Sequence, residues 1–234
     1  MSVLMRDWFR LEGVGFNLSD FEPFGSPSST VIVVKETGSR TILHHNPGLP
    51  ELSPRHFEEK ILPKLDEFDW IHFEGRNVAN VLEILDALTE LDHKPTVSIE
   101  LEKAREEMLK LAPFADVLFI SKEFAEFQSC ADMENSVVHF RSLLKNPNAI
   151  VVCAWGDKGA AASSLEGVFT SRAFPPDELV ETLGAGDTFN AAFIFAMREK
   201  HSIQKCLEFA CRVAGAKCGQ VERKGLRKLV PTLQ

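Results

Sequence analysis

The sequence feature that most constrains the fold is a regular alternation of short apolar runs with longer helical patterns. The apolar runs have the length of strands: WIHFEG (70–75), TVSIEL (96–101), DVLFIS (116–121) and AIVVCA (149–154). The segments between them have helical periodicity: NVANVLEILDALTEL (77–91), AREEMLKLA (104–112) and SVVHFRSLLK (136–145). This alternation is typical of βαβ units, in which helices cover both faces of a parallel sheet. The sequence therefore predicts an α/β fold with a mostly parallel sheet.

Two further strand pairs and two helices complete the predicted organisation. The runs TVIVVK (30–35) and RTILHH (40–45) flank a short glycine-bearing loop and predict a hairpin. A second hairpin is predicted where GAAASS and GVFTSR surround Leu165 and Glu166. One closing helix is predicted to begin near Asp187, and another to follow Ser202, a residue suited to a helix N-cap.

Composition excludes several classes of function. The 234 residues suit one α/β domain, and the formal net charge of −8 argues against a general nucleic-acid or anionic-membrane surface. The longest apolar stretches, such as residues 149–155, are too short to cross a bilayer, and charged residues interrupt the start of the chain where a signal peptide would be apolar. We therefore expect a cytoplasmic protein with no nucleic-acid and no membrane partner.

The cysteines predict neither a disulfide framework nor a zinc site. There are five of them, an odd number, and no two form a C-x-x-C pair. Cys211 and Cys218 share an apolar helical stripe with Leu207, Ala210 and Ala214, so we interpret both as reduced core residues.

The stretch ETLGAGDTFNAAF (181–193) carries the chemistry. Backbone N–H groups at a helix start have no intrahelical partner, and the helix dipole adds about half a positive charge there. The sequence Gly184-Ala185-Gly186 therefore suits an anion such as a phosphate. Asp187 fits two roles: a helix cap, or a general base for an attacking hydroxyl group beside a phosphate.

Two common phosphate-binding motifs do not fit this stretch. No Lys and Ser/Thr pair follows the glycines, which excludes a Walker A loop. A dinucleotide G-x-G-x-x-G motif fails because Phe189 stands at the third glycine position. The stretch is therefore predicted to bind a phosphate group in another way and to supply an acid–base residue beside it.

The segment TLGAGDTFNAAF (182–193) resembles the C-terminal signature of the ribokinase-like (PfkB) sugar kinases, and within that family it is most similar to the ketohexokinase branch. The resemblance extends from about residue 5 to residue 219. Its supporting segments are IHFEGRN (71–77), SIELEKAREE (98–107), VLFISKE (117–123), VVCAWGDKGA (151–160), AFPP (173–176) and CRVAGAKCG (211–219). The implied fold is ribokinase-like, a three-layer α/β/α arrangement with the remnant of a β lid at about residues 28–46.

The resemblance implies roles for particular residues. Asp187 is similar to the base that removes the proton of the sugar hydroxyl group and so also contacts the sugar. The anion hole for the transferring phosphate is implied at Gly184, Ala185 and Gly186. The implied nucleotide-binding segment comprises Gly156, Asp157, Lys158 and Gly159. Arg40 matches a lid arginine that contacts ATP phosphates, although by its sequence context alone it is a solvated turn residue.

The resemblance also implies the reaction, the cofactors and the partners. The chain is expected to transfer a phosphoryl group from ATP to a ketohexose, with fructose giving fructose 1-phosphate. Mg²⁺ is expected to be held mostly by water and phosphate, with K⁺ as a further candidate ion. A homodimer joined through the lid is a further expectation. Cys218 is implied near the adenine pocket, although packing is its first interpretation.

Two departures from the family pattern bear on these expectations. Many members carry Asn-x-x-Glu after the strand equivalent to VLFIS, whereas this chain has Ser121-Lys122-Glu123-Phe124, a variant similar to the ketohexokinase branch. The chain also lacks counterparts of the family's first strand with its sugar-binding aspartate and of the Gly-Gly-Asn segment. We therefore expect a single domain, 1–234, that is N-terminally incomplete, and an uncovered strand edge that makes it marginally stable or prone to aggregate unless another segment or protomer completes it.

Three functional hypotheses follow. The first is an active ketohexose kinase. The second is a catalytically inactive, nucleotide-binding fragment or isoform that pairs with a partner chain. The third is a related PfkB kinase that acts on another sugar or on a nucleoside.

Overall fold

The chain divides into two compact units, Met1–Glu67 and Phe68–Gln234. The computed structural model describes residues 15, 25, 27–33, 40–220, 225–226 and 228–229. The first unit contains an antiparallel hairpin of strands β1 (Ser28–Val33) and β2 (Arg40–His45). Its β-branched residues favour paired strands, and the predicted hairpin is confirmed. A short helix, α1 (Pro54–His56), begins at Ser53, whose hydroxyl group accepts a hydrogen bond from the His56 N–H, and further helical turns continue to Glu67.

The second unit is built on a six-stranded sheet whose spatial order is the order of the strands in the chain. Its strands are β3 (Trp70–Glu74), β4 (Thr96–Leu101), β5 (Val117–Ser121), β6 (Ile150–Ala154), β7 (Ala160–Ser164) and β8 (Gly167–Ser171). Strands β3 to β6 are parallel, and β7 and β8 are added as an antiparallel hairpin. The predicted α/β fold with a mostly parallel sheet is therefore confirmed.

Helices fill the connections between the parallel strands. They are α2 (Val78–Thr89), a 3₁₀ helix (Glu106–Phe114), α3 (Lys122–Phe127) and α4 (Met133–Arg141). The segment AREEMLKLA was predicted as a helix, and it forms the tighter 3₁₀ type, whose last turn contains Pro113, a residue without a backbone N–H to donate. The unit ends with α5 (Ala185–Arg198) and α6 (Ile203–Cys218). The hydroxyl group of Ser202 accepts a hydrogen bond from the Lys205 N–H, which confirms Ser202 as the N-cap of α6.

The main core lies between one face of the sheet and helices α5 and α6. Alternate strand residues point to this face because successive side chains in a strand point in opposite directions. Phe119 on β5 meets Phe193 on α5 edge to face, with 5.7 Å between the ring centroids. Helix α4 packs against β6 and β7. The core members on the α5 and α6 side include Val117, Phe119, Val152, Ala162, Phe189, Phe193, Leu207 and Ala210.

The C-terminal half of α6 holds the segment that leads to α5. The backbone N–H groups of Val180 and Glu181 donate to the carbonyl of Cys218, at 2.8 and 3.1 Å. Gly215 faces the same segment so closely that a Cβ would overlap the carbonyl oxygen of Phe174. Only a glycine permits this approach of helix and loop, so it fixes the path of the chain toward α5.

Replacing Gly215 by alanine should therefore destabilise the second unit. The added methyl group forces helix α6 away from Phe174, and overpacking of this kind typically costs about 1–3 kcal/mol. Urea unfolding followed by circular dichroism measures the change. Gly186→Ala is the matched control, because Gly186 is helical and a Cβ there meets nothing within 4 Å. A Gly215→Ala variant as stable as the Gly186→Ala control would contradict the close contact.

Candidate active site

Helix α5 begins with a glycine in the left-handed region of backbone space. Gly184 is its N-cap, with φ 73° and ψ 14°, a conformation that costs a residue with a Cβ about 1 kcal/mol. Its carbonyl accepts hydrogen bonds from the N–H and the hydroxyl group of Thr188, at 3.0 and 2.7 Å. The N–H of Ala185 donates to the carbonyl of Thr182 at 3.1 Å. Of the residues proposed for the anion hole, Gly184 thus shapes the turn, and the helix begins directly behind it.

Asp187 occupies the third position of α5, and its side chain is exposed. The cap role left open by the sequence falls to Gly184, not to Asp187. Within the described residues, no hydrogen bond or salt bridge engages the Asp187 carboxylate. It therefore faces solvent at the helix start, where a general base must be to meet a substrate hydroxyl group.

Parallel strands β3 and β4 end beside this helix start. Asn190, one turn after Asp187, is 7% exposed and donates from Nδ2 to Oε1 of Glu100 at 2.8 Å. Burial raises the pKa of Glu100 to about 7, helped by the negative charges of Glu102, Asp187 and Glu74 and opposed by the hydrogen bond from Asn190. The ends of β3 and β4 and the start of α5 thus form one group of interacting polar and charged side chains.

His72 on β3 belongs to the same group. Partial burial lowers the pKa of His72, while the charges of Asp187 and Glu74 oppose that shift. Its Nδ1 lies 2.8 Å from the hydroxyl oxygen of Ser98, which accepts a hydrogen bond from Trp70 Nε1 at 2.8 Å. The Ser98 hydroxyl group, which also lies 3.5 Å from the Ile71 carbonyl oxygen, thus links the Trp70 indole to the His72 ring.

The predicted nucleotide segment lies at the carboxyl end of β6. Gly156–Lys158 form a single 3₁₀ turn, and the Trp155 N–H donates to the Gly159 carbonyl at 2.7 Å. Gly156, Asp157 and Lys158 are exposed, whereas Gly159 is buried against the end of β8. Since β3 to β6 are parallel, this turn and the ends of β3 and β4 are at the same edge of the sheet, the edge at which α/β proteins bind ligands.

The remaining predicted residues are less informative. Arg40 is the first residue of β2, and its side chain lies outside what the structure describes. Cys211 is buried in the core as predicted, whereas the prediction of Cys218 as a core residue is corrected, because it is partly exposed at the end of α6. Burial raises the pKa of Cys211 to about 11, and burial also raises the pKa of Cys218 above its ordinary value. Ser121 begins α3, and its hydroxyl group accepts a hydrogen bond from the Phe124 N–H at 3.0 Å.

A buried ion pair supports the loop in front of α5. Lys217 is 2% exposed, and its Nζ lies 2.8 Å from Oε1 of Glu181 and 3.2 Å from the carbonyl of Gln220. Glu181 stands three residues before Gly184 and retains 31% side-chain exposure. A buried cation requires such partners, so this pair ties the end of α6 to the turn that starts α5.

Asn190 and Lys217 were not predicted as parts of this group, and Glu100 was predicted only as one of the polar residues at the strand ends that share this edge. Asn190 is a polar residue within the apolar run of α5, one turn after Asp187, and this pattern could have identified it as a candidate site residue. Lys217 follows Ala210 and Val213 on the buried stripe of α6, so its burial was readable from helical spacing. Glu100 could be placed only at a strand end, since its partner lies 90 residues away in the sequence.

The described part of the chain shows neither a metal centre nor a membrane-spanning helix. It contains no group of three or more His, Cys, Asp or Glu side chains placed to hold a metal ion, and no helix with the length and apolarity needed to cross a membrane. A cavity of about 370 Å³ lies at the opposite edge of the sheet, where β3, β4, β5 and β6 begin, and its lining includes Trp70, Thr96, Val117 and Ile150.

A helix that starts behind a left-handed glycine at the carboxyl edge of a mostly parallel sheet is typical of α/β enzymes that handle phosphate. The sequence matches the model of the pfkB family carbohydrate kinases over residues 2–231. The chain belongs to this family, and it is a carbohydrate kinase, a phosphotransferase that uses ATP and a sugar.

Individual relatives and solved structures support this family assignment. The chain is 39% identical to ketohexokinase from Mus musculus over 219 residues, which cover 90% of this chain and 72% of that protein. It is 26% identical to a fructosamine kinase from Bacillus subtilis, covering 83% of this chain and 66% of the relative. The fold is similar to ribokinase from Giardia lamblia, with a TM-score of 0.81 at 16% identity over 98% of this chain and 78% of that one. The predicted ribokinase-like fold is thus confirmed.

The two partners of the buried ion pair should respond unequally to substitution. Glu181→Leu leaves the Lys217 ammonium buried without its counter-ion and should cost about 3 kcal/mol of unfolding free energy. Lys217→Met removes the buried charge and leaves a partly solvated carboxylate, so it should cost about 1 kcal/mol. Urea unfolding measures both. The exposed Lys122–Glu126 pair, at 3.7 Å, supplies the control Lys122→Met, which should change stability by less than about 0.5 kcal/mol. Equal costs for the two Lys217–Glu181 variants would contradict this account.

Proposed function

We propose that the chain transfers the γ-phosphoryl group of ATP to a ketohexose, with fructose giving fructose 1-phosphate. The observation that carries the proposal is the exposed carboxylate of Asp187 at the start of α5, behind the left-handed Gly184. The choice of sugar is supported by the 39% identity with the mouse protein named ketohexokinase.

In the proposed mechanism, Asp187 removes the proton of the attacking hydroxyl group as its oxygen bonds to the γ-phosphorus of ATP and the bond from that phosphorus to the leaving ADP breaks. The start of α5 at Gly184, Ala185 and Gly186 forms the anion hole. Since the Ala185 N–H donates to Thr182, the helix dipole and the N–H groups of Gly184 and Gly186 stabilise the charge of the transferring phosphoryl group. Phosphoryl transfer requires alignment and charge stabilisation more than covalent catalysis, and a helix start on a rigid sheet edge supplies both.

The nucleotide is proposed to lie along the same edge. Its candidate contacts at the end of β6 are the exposed turn of Gly156, Asp157 and Lys158 and the next residue, Gly159. From the hairpin, Arg40 is the candidate contact for the ATP phosphates. Within the described residues, no three His, Cys, Asp or Glu side chains are placed to hold a metal ion together. Mg²⁺ would therefore be held by the phosphates of ATP and by water, and it would neutralise the charge of those phosphates. K⁺ is proposed only as a further ion. A cytoplasmic location is supported by the five free thiols.

Replacing Asp187 by asparagine tests the proposed base. The amide cannot take the hydroxyl proton, so kcat with ATP and fructose should fall about 100- to 10000-fold. KM for ATP should change little, because the helix start is preserved. ADP release measures turnover, and ³¹P NMR identifies the phosphorylated position. Glu199→Gln, an exposed carboxylate at the other end of α5, is the matched control.

The outcomes of this experiment separate the three hypotheses. Undiminished turnover by Asp187→Asn would remove Asp187 from the role of base. Binding of ATP without phosphorylation of any sugar would favour the nucleotide-binding fragment. Faster turnover of ribose or adenosine than of fructose would favour a related kinase with another acceptor.

The hairpin β1–β2 is the proposed contact for a homodimer. It exposes Ile32 (52%), Ile42 (50%) and Leu43 (57%). Opposite residues in the hairpin share a face, so Ile32 and Leu43 lie on one face and Ile42 on the other. Exposed apolar side chains concentrated on one element are typical of protein contacts.

Charged residues on this hairpin should therefore separate the protomers. Ile42→Asp combined with Leu43→Asp should halve the mass measured by light scattering after size-exclusion chromatography. Leu165→Asp is the control, since Leu165 is 67% exposed on the β7–β8 turn and should leave the mass unchanged. A wild-type chain that is already monomeric at micromolar concentration would refute the proposed dimer.

A further inference from the structure

The cavity of about 370 Å³ at the amino edge of the sheet is separate from the edge that carries the proposed kinase site. The first residues of the four parallel strands line it, and they are Trp70, Thr96, Val117 and Ile150. Met197, near the end of α5, adds a further apolar side chain. The volume falls in the range of pockets that hold small molecules, roughly 300–1,000 Å³. The apolar side of the cavity therefore suits the apolar body of a ligand.

Hydrogen bonds fix the walls of this cavity. The carboxylate of Asp116, just before β5, accepts from the Val97 N–H and from Asn146 Nδ2, both at 2.9 Å. On the side of α5, Arg198 donates to Oδ2 of Asp69 at 2.7 Å. These bonds join the starts of β3, β4 and β5 to the loop before β6 and to the end of α5. The cavity is thus formed without a ligand, as is usual for small-molecule sites.

The two carboxylates that line the cavity are already compensated. Both oxygens of Asp116 accept hydrogen bonds, and Nζ of Lys94 lies 3.9 Å from its Oδ2. The Asp69 carboxylate is paired with the Arg198 guanidinium. Their negative charge is therefore offset locally and is a weak barrier to an anion.

The polar groups that remain available in the cavity are mainly donors. Within the described residues, the Lys200 ammonium group and the Asn148 side-chain amide have no hydrogen-bond or salt-bridge partner. Arg198 uses one of its N–H groups for Asp69 and keeps the others. A ligand that matches these groups presents acceptors, and a carboxylate pairs well with a lysine and an arginine together.

The backbone of Lys200 gives independent evidence for a role of this residue. The Lys200 N–H donates to the Met197 carbonyl at 2.9 Å, and the His201 N–H donates to the Ala196 carbonyl at 3.2 Å. This pair of bonds is the Schellman ending of a helix, whose left-handed position is usually a glycine. Lys200 occupies that position with φ 61°. Unfavourable backbone conformations of this kind concentrate at functional sites, so the lysine side chain is a candidate for function.

We propose that this cavity is a second ligand site, which binds a small amphipathic carboxylate. The apolar body of the ligand lies against Trp70 and Met197, and its carboxylate pairs with Lys200 and Arg198. The inference goes beyond the proposed kinase activity, because the cavity and Asp187 are at opposite edges of the sheet.

The compound 2-naphthoate joins a two-ring apolar body to a carboxylate and tests the proposal with the full chain. In ¹H–¹⁵N NMR spectra it should shift the indole N–H resonance of Trp70 and leave that of Trp155, at the other edge of the sheet, in place. Neutral 2-naphthamide should bind about 3- to 10-fold more weakly because it lacks the charge. Acetate should bind at least about tenfold more weakly because it lacks the apolar body.

Substitutions of Lys200 separate binding from folding. Lys200→Gly removes the charge and suits the left-handed position, so it should fold as stably as wild type while the Kd for 2-naphthoate rises about 3- to 10-fold. Lys200→Arg keeps the charge and should keep the affinity within about twofold. Lys103→Gln removes an exposed charge at the opposite edge of the sheet and is the matched control, with wild-type affinity expected. Isothermal titration calorimetry measures each Kd, and urea unfolding measures stability.

Three outcomes would overturn the second ligand site. One is an unshifted Trp70 resonance at up to about 10 mM 2-naphthoate. Another is equal affinity for 2-naphthoate and 2-naphthamide, because the charge of the ligand would then meet no cation. The third is a wild-type Kd in Lys200→Gly. None of these measurements uses ATP or a sugar, so the result is independent of whether the chain is active as a kinase.

Discussion

The parallel alignment of β3, β4, β5 and β6 is the constraint on which the rest of the second unit depends. Parallel strands end at one edge, so the polar residues after each strand meet there although they are far apart in the sequence. Glu74 ends β3, Glu100 lies near the end of β4, and the turn beginning at Gly156 follows β6. The start of α5 packs at the same edge, and this brings Asp187 close to the ends of β3 and β4.

Helix α5 is fixed to that edge from two directions. From one side, Lys217 and the Cys218 carbonyl of α6 hold the chain at Val180 and Glu181, just before the glycine turn. From the other side, Glu100 holds Asn190. Between these two supports lie only Gly184, Ala185, Gly186 and the residues next to them. The backbone that receives a phosphate in the proposed mechanism therefore lies between two supported points of the chain.

Much of the fold was predictable from the sequence because it depends on local pattern. Apolar runs of strand length, helical periodicity and the Ser202 cap are properties of neighbouring residues, and the structure confirms them. The position of Asp187 at a helix start was predictable for the same reason. Glu100 with Asn190 and Lys217 with Glu181 were not, because each pair depends on how separate elements pack. The 3₁₀ form of Glu106–Phe114 was also missed, since periodicity does not distinguish it from an α-helix over so few residues.

The agreement between strand order in the sheet and strand order in the chain has a consequence for folding. Each of the strands from β4 to β8 pairs with the strand made just before it, so no strand of this sheet must wait for a distant segment of the chain. The entropy lost in closing each connecting loop is then small, and the sheet can grow in one direction as the polypeptide leaves the ribosome. Helix α5 and then α6, which holds the segment before Gly184, follow all six strands in the chain, so the glycine turn is assembled after the sheet and takes its final support from the helix that is made last.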